Sequence, residues 1–172
     1  MFEALRLTSV RTRARRTRRQ MAEGITVRHA RADEAQALTE LTLRAKASWG
    51  YDDAFMAASR DDLTMTPERL AAWTVWVAEA DGVLAGLIAL SLERGAEVEE
   101  FFVEPRLQGR GIGTLLMAEL LAAARAAGAE VLEVDADPNA EPIYARLGFE
   151  TFGRSPSGAI PGRWLPRMRL AL

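Results

Sequence analysis

The sequence predicts a three-layer α+β protein, in which a mixed, mostly antiparallel sheet of about six to seven strands carries helices on both faces. Two observations lead to this fold class. From Gly24 onward, segments in which apolar and polar residues alternate are interspersed with segments in which apolar residues recur every three or four positions, as in strands and helices respectively. A hairpin turn joins two early strands, whereas helices join the later ones, so both antiparallel and parallel pairing are expected.

Each predicted element has a local signal. Asp33 is a suitable N-cap for a first helix that runs through Ala45. Asp81 and Gly82 form a typical hairpin turn, and Gly128 ends the long helix. The predicted strands are residues 25–28, 74–79, 83–92, 97–103, 130–135, 149–153 and 163–170. The later predicted helices are residues 54–60, 111–127 and 139–147, with one more turn after Pro67.

Composition excludes several classes of enzyme. The chain of 172 residues suits one domain, and it contains no cysteine, which excludes disulfides, thiolate metal sites and cysteine nucleophiles. His29 is its only histidine, so a Ser-His-Asp hydrolase or a histidine-ligated zinc site would depend on that residue alone. We therefore expect no metal. The lack of cysteine favours a reducing cytoplasm, and no apolar run approaches the ~20 residues that span a bilayer, so no membrane partner is expected.

Charge is distributed unevenly along the chain. Seven arginines against Glu3 give residues 1–20 a charge of +6, so the remainder carries −8 of the net −2. We interpret residues 1–23 as a disordered extension, with Met21 as an equally good start, and residues 24–172 as a single domain. A basic interaction tail or a targeting peptide is the alternative. The acidic remainder argues against a nucleic-acid partner.

The most informative segment is a glycine-rich loop at the point where a strand leads into the long helix. Its glycines occupy every second position, namely Gly109, Gly111 and Gly113. Each glycine within a helix costs about 1 kcal/mol relative to alanine, so local stability does not explain them. No Ser, Thr, Asp or Asn precedes the helix as a cap, so its first amides can face an anion. The loop therefore predicts a phosphate site, with Arg106 and Arg110 at its rim.

Two common phosphate-binding loops do not fit this spacing. A Walker loop requires lysine after its last glycine, but Lys46, the only lysine, lies far upstream, which excludes nucleoside triphosphate hydrolysis. The dinucleotide fingerprint spaces its glycines as Gly-x-Gly-x-x-Gly after an early strand. Only Asp135, an acid at the end of the next strand, favours that alternative.

The sequence Gln-Gly-Arg-Gly-Ile-Gly at residues 108–113 resembles the Arg/Gln-x-x-Gly-x-Gly signature of the GNAT superfamily of N-acetyltransferases, whose loop holds the pyrophosphate of coenzyme A. Residues 139–149 resemble its second landmark, Asn-Ala-x-x-x-Tyr-x-x-x-Gly-Phe. Residues 24–172 follow the order of strands and helices of that family. Pro142 departs from the pattern, but Asn139 is a good cap for this helix, and a proline is tolerated in the first turn of a helix that begins there.

The resemblance implies acetyl-CoA as co-substrate and assigns roles to individual residues. Backbone groups of the strand before the loop would bind the pantetheine arm, the loop would bind the pyrophosphate, and Asn139 would bind the pantetheine amide. Tyr144 would lie beside the thioester sulfur as general acid. The implied cofactor-binding residues are Phe101, Phe102, Val103, Gln108, Gly109, Arg110, Gly111, Ile112, Gly113, Thr114 and Asn139.

Three glutamates crowd the strand that faces the thioester in this family, namely Glu97, Glu99 and Glu100. An amine must be neutral to attack, so a carboxylate is the usual base, and adjacent carboxylates raise one another's pKa. Family members place a glutamate at the position of Glu99 or of Glu97, and we take Glu99 first. A solvated strand edge is the alternative interpretation.

The function implied is acetyl transfer to a primary amine by direct attack in a ternary complex, since an acetyl-cysteine intermediate is impossible without cysteine. Residues 49–53 and 157–162 would line the acceptor pocket. The acceptor, a small molecule or a peptide, is left open among protein amines, polyamines, amino acids and aminoglycosides, as is a homodimer. A non-catalytic acyl-CoA-binding sensor is the alternative function.

Overall fold

A computed structural model describes residues 24–172. The predicted extension, residues 1–23, lies outside the described residues. The strands are β1 (Ile25–His29), β2 (Thr74–Ala80), β3 (Val83–Ser91), β4 (Ala96–Val103), β5 (Val131–Asp135), β6 (Glu150–Pro156) and β7 (Trp164–Ala171). The α-helices are α1 (Ala35–Ala47), α2 (Asp53–Ala58), α3 (Pro67–Ala72), α4 (Ile112–Ala126) and α5 (Glu141–Arg146), and 3-10 turns cover Ala32–Glu34 and Pro105–Leu107.

The strands form one seven-stranded sheet in the order β1-β2-β3-β4-β5-β7-β6. Every pair of neighbours is antiparallel except β4 and β5. That parallel ladder contains only the pairs Ala96–Leu132 and Glu97–Glu133, although β4 continues to Val103. The predicted mixed, mostly antiparallel sheet is confirmed. Beyond Glu97, β4 and β5 are no longer paired, which leaves an opening between strands β1–β4 and strands β5–β7.

Hydrophobic clusters lie on both faces of the sheet. Successive residues of a strand point to opposite faces, and accordingly Trp76 and Ala78 of β2 belong to one cluster while Val77 belongs to the other. The first cluster includes Leu116 and Leu120 of α4, and the second includes Leu38 and Leu41 of α1. Helices therefore cover both faces, as the sequence predicts.

Close packing brings the start of α4 onto β3. A Cβ atom at Gly86 would lie 2.9 Å from the Phe102 carbonyl oxygen and 3.2 Å from the Ile112 side chain. Glycine at this position lets the first turn of α4 approach the strands directly. The helix N-terminus is thereby held beside the opening between β4 and β5.

Two predicted helix caps are wrong. Asp33 lies within the 3-10 turn, and α1 begins at Ala35; the Glu34 carboxylate, which also binds Arg28 at 2.6 Å, instead accepts the Arg31 amide at 2.7 Å. Asn139 precedes α5 but is not its N-cap, which is Ala140.

Asp137 takes over the capping role before α5. Its carboxylate accepts the Asn139 amide at 2.8 Å, and its carbonyl accepts the amides of Ala140 and Glu141. Pro142 lies in the first turn of the helix, where a missing amide donor is harmless.

Candidate active site

The opening between β4 and β5 is the mouth of a cavity of about 780 Å³. Its walls come from β4, from the residues that follow β5, and from the start of α4, with α5 and the β6–β7 loop completing it. Because the ladder between the two strands stops after Glu97, the facing edges of β4 and β5 are separated there by the cavity. The cavity reaches the centre of the sheet.

The glycine-rich loop forms one end of this cavity. Gly109 and Gly111 have φ angles of 77° and 82°, in the left-handed region that favours glycine. Gly111 is the N-cap of α4, and no side chain caps it, so the first amides of this 15-residue helix have no side-chain partner, as predicted. A Cβ atom at Gly113 would lie 3.2 Å from the Phe101 ring. The loop thus leaves a bare helix N-terminus facing the cavity, which favours an anion.

The structure brings together most of the residues predicted to bind the cofactor. All of them line the cavity except Arg110 and Asn139. Arg110 is exposed within the loop. Asn139 donates its side-chain nitrogen to the Tyr51 hydroxyl at 2.9 Å, so that nitrogen is engaged within the protein.

Tyr144 lies in the cavity wall and is only 6% exposed. Its ring packs edge-on against Phe101 and Phe149, with ring centroids 6.0 and 5.2 Å away. Burial, and then the negative charge of Glu100, hold the pKa of the Tyr144 hydroxyl well above its usual range. The phenol therefore keeps its proton at neutral pH, and its role in proton transfer is that of a proton donor.

A β-bulge determines how the three glutamates of β4 are presented. Ala89 pairs with Glu100 and Leu90 with Val98, so Glu99 is an extra residue in the strand. Bulges of this kind redirect side chains and are common beside active sites. Both Glu99 and Glu100 line the cavity, whereas Glu97 binds Arg167 at 3.2 Å.

The two cavity glutamates differ in their environment. Glu100 is only 7% exposed, and burial, with a further contribution from the charge of Glu99, raises its pKa to about 8. Glu99 is exposed at the mouth of the cavity, and its pKa is also raised, by partial desolvation and by Glu97. Sequence reasoning named Glu100 but did not predict its burial, which depends on how other parts of the chain pack against β4.

Asp137 joins the two sides of the cavity mouth. Its carboxylate binds Lys46 of α1 and Arg163, and it accepts the Tyr51 hydroxyl at 2.8 Å. Burial tends to raise the pKa of Asp137, but Lys46, the Asn139 amide and Arg163 together lower it to about 2. Asp137, Lys46 and Arg163 were missed as site residues from the sequence, because the partners lie up to 112 positions apart.

A group of three or more His, Cys, Asp or Glu residues arranged to hold a metal ion is not found in residues 24–172. Within the same residues, no helix has the length and apolar character needed to cross a membrane.

The buried carboxyl of Glu100 should make stability depend on pH. Its pKa is higher in the folded protein than the ordinary value of 4.5, so the folded state loses stability as pH rises from about 4.5 to about 8. Glu100→Gln removes this loss, and each unit of pKa difference is worth about 1.4 kcal/mol. We expect chemical denaturation to show the variant gaining stability over the parent across this range. The exposed Glu119→Gln should show no such gain, and parallel profiles for all three proteins would contradict the buried carboxyl.

Comparisons with known proteins agree with this architecture. A family model described as an acetyltransferase (GNAT) domain matches residues 54–172. An uncharacterized N-acetyltransferase of Methanocaldococcus jannaschii is 33% identical over 44% of this chain, and the match covers 38% of that relative. The chain thus matches about two-fifths of that relative's length.

Solved structures also resemble the fold over most of the described residues. A GCN5-related N-acetyltransferase from Rhodopseudomonas palustris has a TM-score of 0.74 and 25% identity, covering 86% of this chain and 95% of its own. The structure of yncA from Salmonella typhimurium with its cofactor acetyl-CoA has a TM-score of 0.59 and 26% identity, covering 86% and 94%. With the family model matching more than half of its length, the chain belongs to the GNAT acetyltransferase family.

Proposed function

We propose that residues 24–172 form a single acetyltransferase domain, which transfers the acetyl group of acetyl-CoA to a primary amine by direct attack in a ternary complex. One observation carries the proposal. A single cavity connects an uncapped helix N-terminus, Gly111 and the first turn of α4, with a buried phenol, Tyr144, and with the carboxyl groups of Glu99 and Glu100. An anion site, a proton donor and proton acceptors are the groups that acyl transfer from a phosphate-bearing thioester requires.

The glycine-rich loop is proposed to bind the pyrophosphate. Three amides at the start of α4 precede the first intrahelical bond from Leu115 to Gly111, so the amides of residues 112–114 remain for phosphate oxygens. Gln108, Gly109 and Thr114 line the same end of the cavity, and Arg110 would add positive charge from the rim.

The pantetheine arm is proposed to lie between β4 and β5. The edge of β4 over Phe101, Phe102 and Val103 faces the cavity rather than another strand, so its backbone groups there can pair with the amides of an extended arm. Asn139 would accept one of those amides through its carboxamide oxygen, since the bond to Tyr51 uses only its nitrogen.

The proposed chemistry begins with a proton transfer. Glu99, exposed at the cavity mouth and with a raised pKa, takes a proton from the bound ammonium group, and Glu100 is the alternative base. The neutral nitrogen attacks the thioester carbonyl carbon, and a carbon–nitrogen bond forms as the carbon–sulfur bond breaks. The nitrogen is positively charged after the attack and loses its second proton to solvent. Tyr144 donates its proton to the departing sulfur and is reprotonated from solvent, so the products are an N-acetyl amine and a free thiol, with one net proton left on Glu99.

Binding of acetyl-CoA should depend on Gly111. A saturating ligand at about 100 times its Kd stabilises a protein by about 2.7 kcal/mol, so acetyl-CoA should raise Tm. Gly111→Val should abolish this shift because the new side chain occupies the phosphate approach. Gly128→Val is the matched control, since Gly128 has a similar φ of 80° and lies at the other end of α4. Both variants should lose some stability, but only Gly128→Val should keep the shift; a normal shift in Gly111→Val would refute the loop assignment.

Turnover should depend on the Tyr144 hydroxyl. A positioned acid contributes about 10²–10⁴-fold, so Tyr144→Phe should lower kcat by that factor. The ring remains, so packing against Phe101 and Phe149 and the acetyl-CoA thermal shift should be retained. The measurement is thiol release at saturating acetyl-CoA and amine. An unchanged kcat would reduce Tyr144 to a packing role.

A further inference from the structure

We propose that the amine acceptor is a small aliphatic diamine, whose reacting amine lies at Glu99 and Glu100 and whose second ammonium group is bound by Asp62. This inference rests on the proposed acetyl transfer and specifies the substrate class of that same cavity. It is carried by the unpaired charge, the burial and the apolar surface of the cavity wall.

Carboxyl groups without ion-pair partners line one wall of the cavity. Asp62, Glu99 and Glu100 all line it, and none of the three makes an ion pair within residues 24–172. Arg69 is close enough to lower the pKa of both glutamates, but its guanidinium donates to the backbone carbonyls of Asp62 and Thr64 at 2.8 and 2.6 Å. A ligand cation is therefore the missing partner for this wall.

Two of the three basic residues that line the cavity, Lys46 and Arg163, are already engaged, and the third, Arg146, lies at the end of α5. Lys46 and Arg163 both bind the carboxylate of Asp137, and Arg163 also donates to the Tyr51 hydroxyl at 2.7 Å. An acceptor that carried its own carboxylate would find these donors occupied and would face three carboxyl groups across the cavity. The wall thus favours an acceptor without negative charge.

The buried carboxyl of Glu100 points independently to a cationic ligand. It is more than nine-tenths buried, lines the cavity, and makes no hydrogen bond within the described residues. Its carboxyl oxygens are accessible from the cavity, so a ligand there can supply the hydrogen bond that the protein does not. An ammonium group bound at β4 would supply both a donor and a compensating charge.

The geometry of Asp62 and the apolar lining fit a chain with charge at both ends. The Asp62 carboxylate reaches the β6–β7 loop, where a Cβ atom at Gly158 would lie 3.3 Å from its Oδ2. Trp49, Leu63 and Ala159 add apolar surface to the same cavity. Methylene groups can pack on this surface while the two ammonium groups reach carboxylates.

Three acceptors with four carbon atoms each test the inference on the full chain: 1,4-diaminobutane, n-butylamine and 4-aminobutanoate. They differ in carrying a second positive charge, no second charge or a negative charge. We expect kcat/KM from thiol release to be at least about tenfold higher for the diamine than for butylamine, corresponding to about 1.4 kcal/mol, and lowest for aminobutanoate. A preference for butylamine or aminobutanoate would overturn the inference.

The Asp62→Asn variant tests the position of the second charge. It should raise KM for the diamine about five- to tenfold with little change in kcat, and should leave butylamine unaffected. Asp61→Asn, which changes a neighbouring exposed carboxylate outside the cavity lining, is the matched control and should change neither. An equal effect of Asp62→Asn on all three acceptors would contradict a specific contact.

Calorimetry separates this inference from the proposed function. Diamine binding to the protein saturated with coenzyme A does not require turnover. Asp62-dependent binding without thiol release would uphold the acceptor site and refute the transfer reaction. Thiol release with another amine, together with no diamine binding, would uphold the transfer and refute the diamine.

Discussion

The β4–β5 ladder ends after two residue pairs, and this early end determines where the cavity lies. Only two residue pairs join β4 to β5, and thereby strands β1–β4 to strands β5–β7. Beyond Glu97 the two strands are no longer paired, and an opening lies between them. Antiparallel pairing with β3 and β7 keeps each half rigid, so the opening is a feature of the backbone and not of loose packing. The start of α4, the bulge at Glu99 and the Tyr144 ring all reach the same cavity through it.

The carboxyl groups at this opening differ in whether they have ion-pair partners within residues 24–172. Asp137 binds Lys46 and Arg163 and accepts a hydrogen bond from the Tyr51 hydroxyl. The pKa of Asp137 stays low because these charges and hydrogen bonds outweigh the cost of burial. Glu100 is buried and makes no ion pair within residues 24–172, so its carboxyl group retains its proton to a higher pH. Evolved proteins keep an uncompensated buried carboxyl where chemistry or a ligand uses it, and strongly shifted pKa values cluster at functional sites for this reason.

Elements with strong local signals were predictable from the sequence. The alternation in β1, the hairpin at Gly82 and the uncapped start of α4 involve neighbouring residues, and the structure contains each. The caps at Asp33 and Asn139 were mispredicted because Glu34 and Asp137, equally able to accept amides, satisfy the backbone instead. The burial of Glu100 and the grouping around Asp137 depend on contacts across the fold, which composition and spacing do not encode.

Amide hydrogen exchange measured by NMR, with and without saturating acetyl-CoA, directly tests whether the first amides of α4 bind the phosphates. The amides of residues 112–114 precede the first intrahelical bond of α4, and phosphate oxygens are proposed as their partners. We expect exchange of these amides to slow at least about tenfold with ligand, since each 1.4 kcal/mol of protection is a factor of ten, and exchange in the first turn of α1 to be unchanged. Unchanged exchange at residues 112–114 with ligand bound would contradict phosphate binding by these amides.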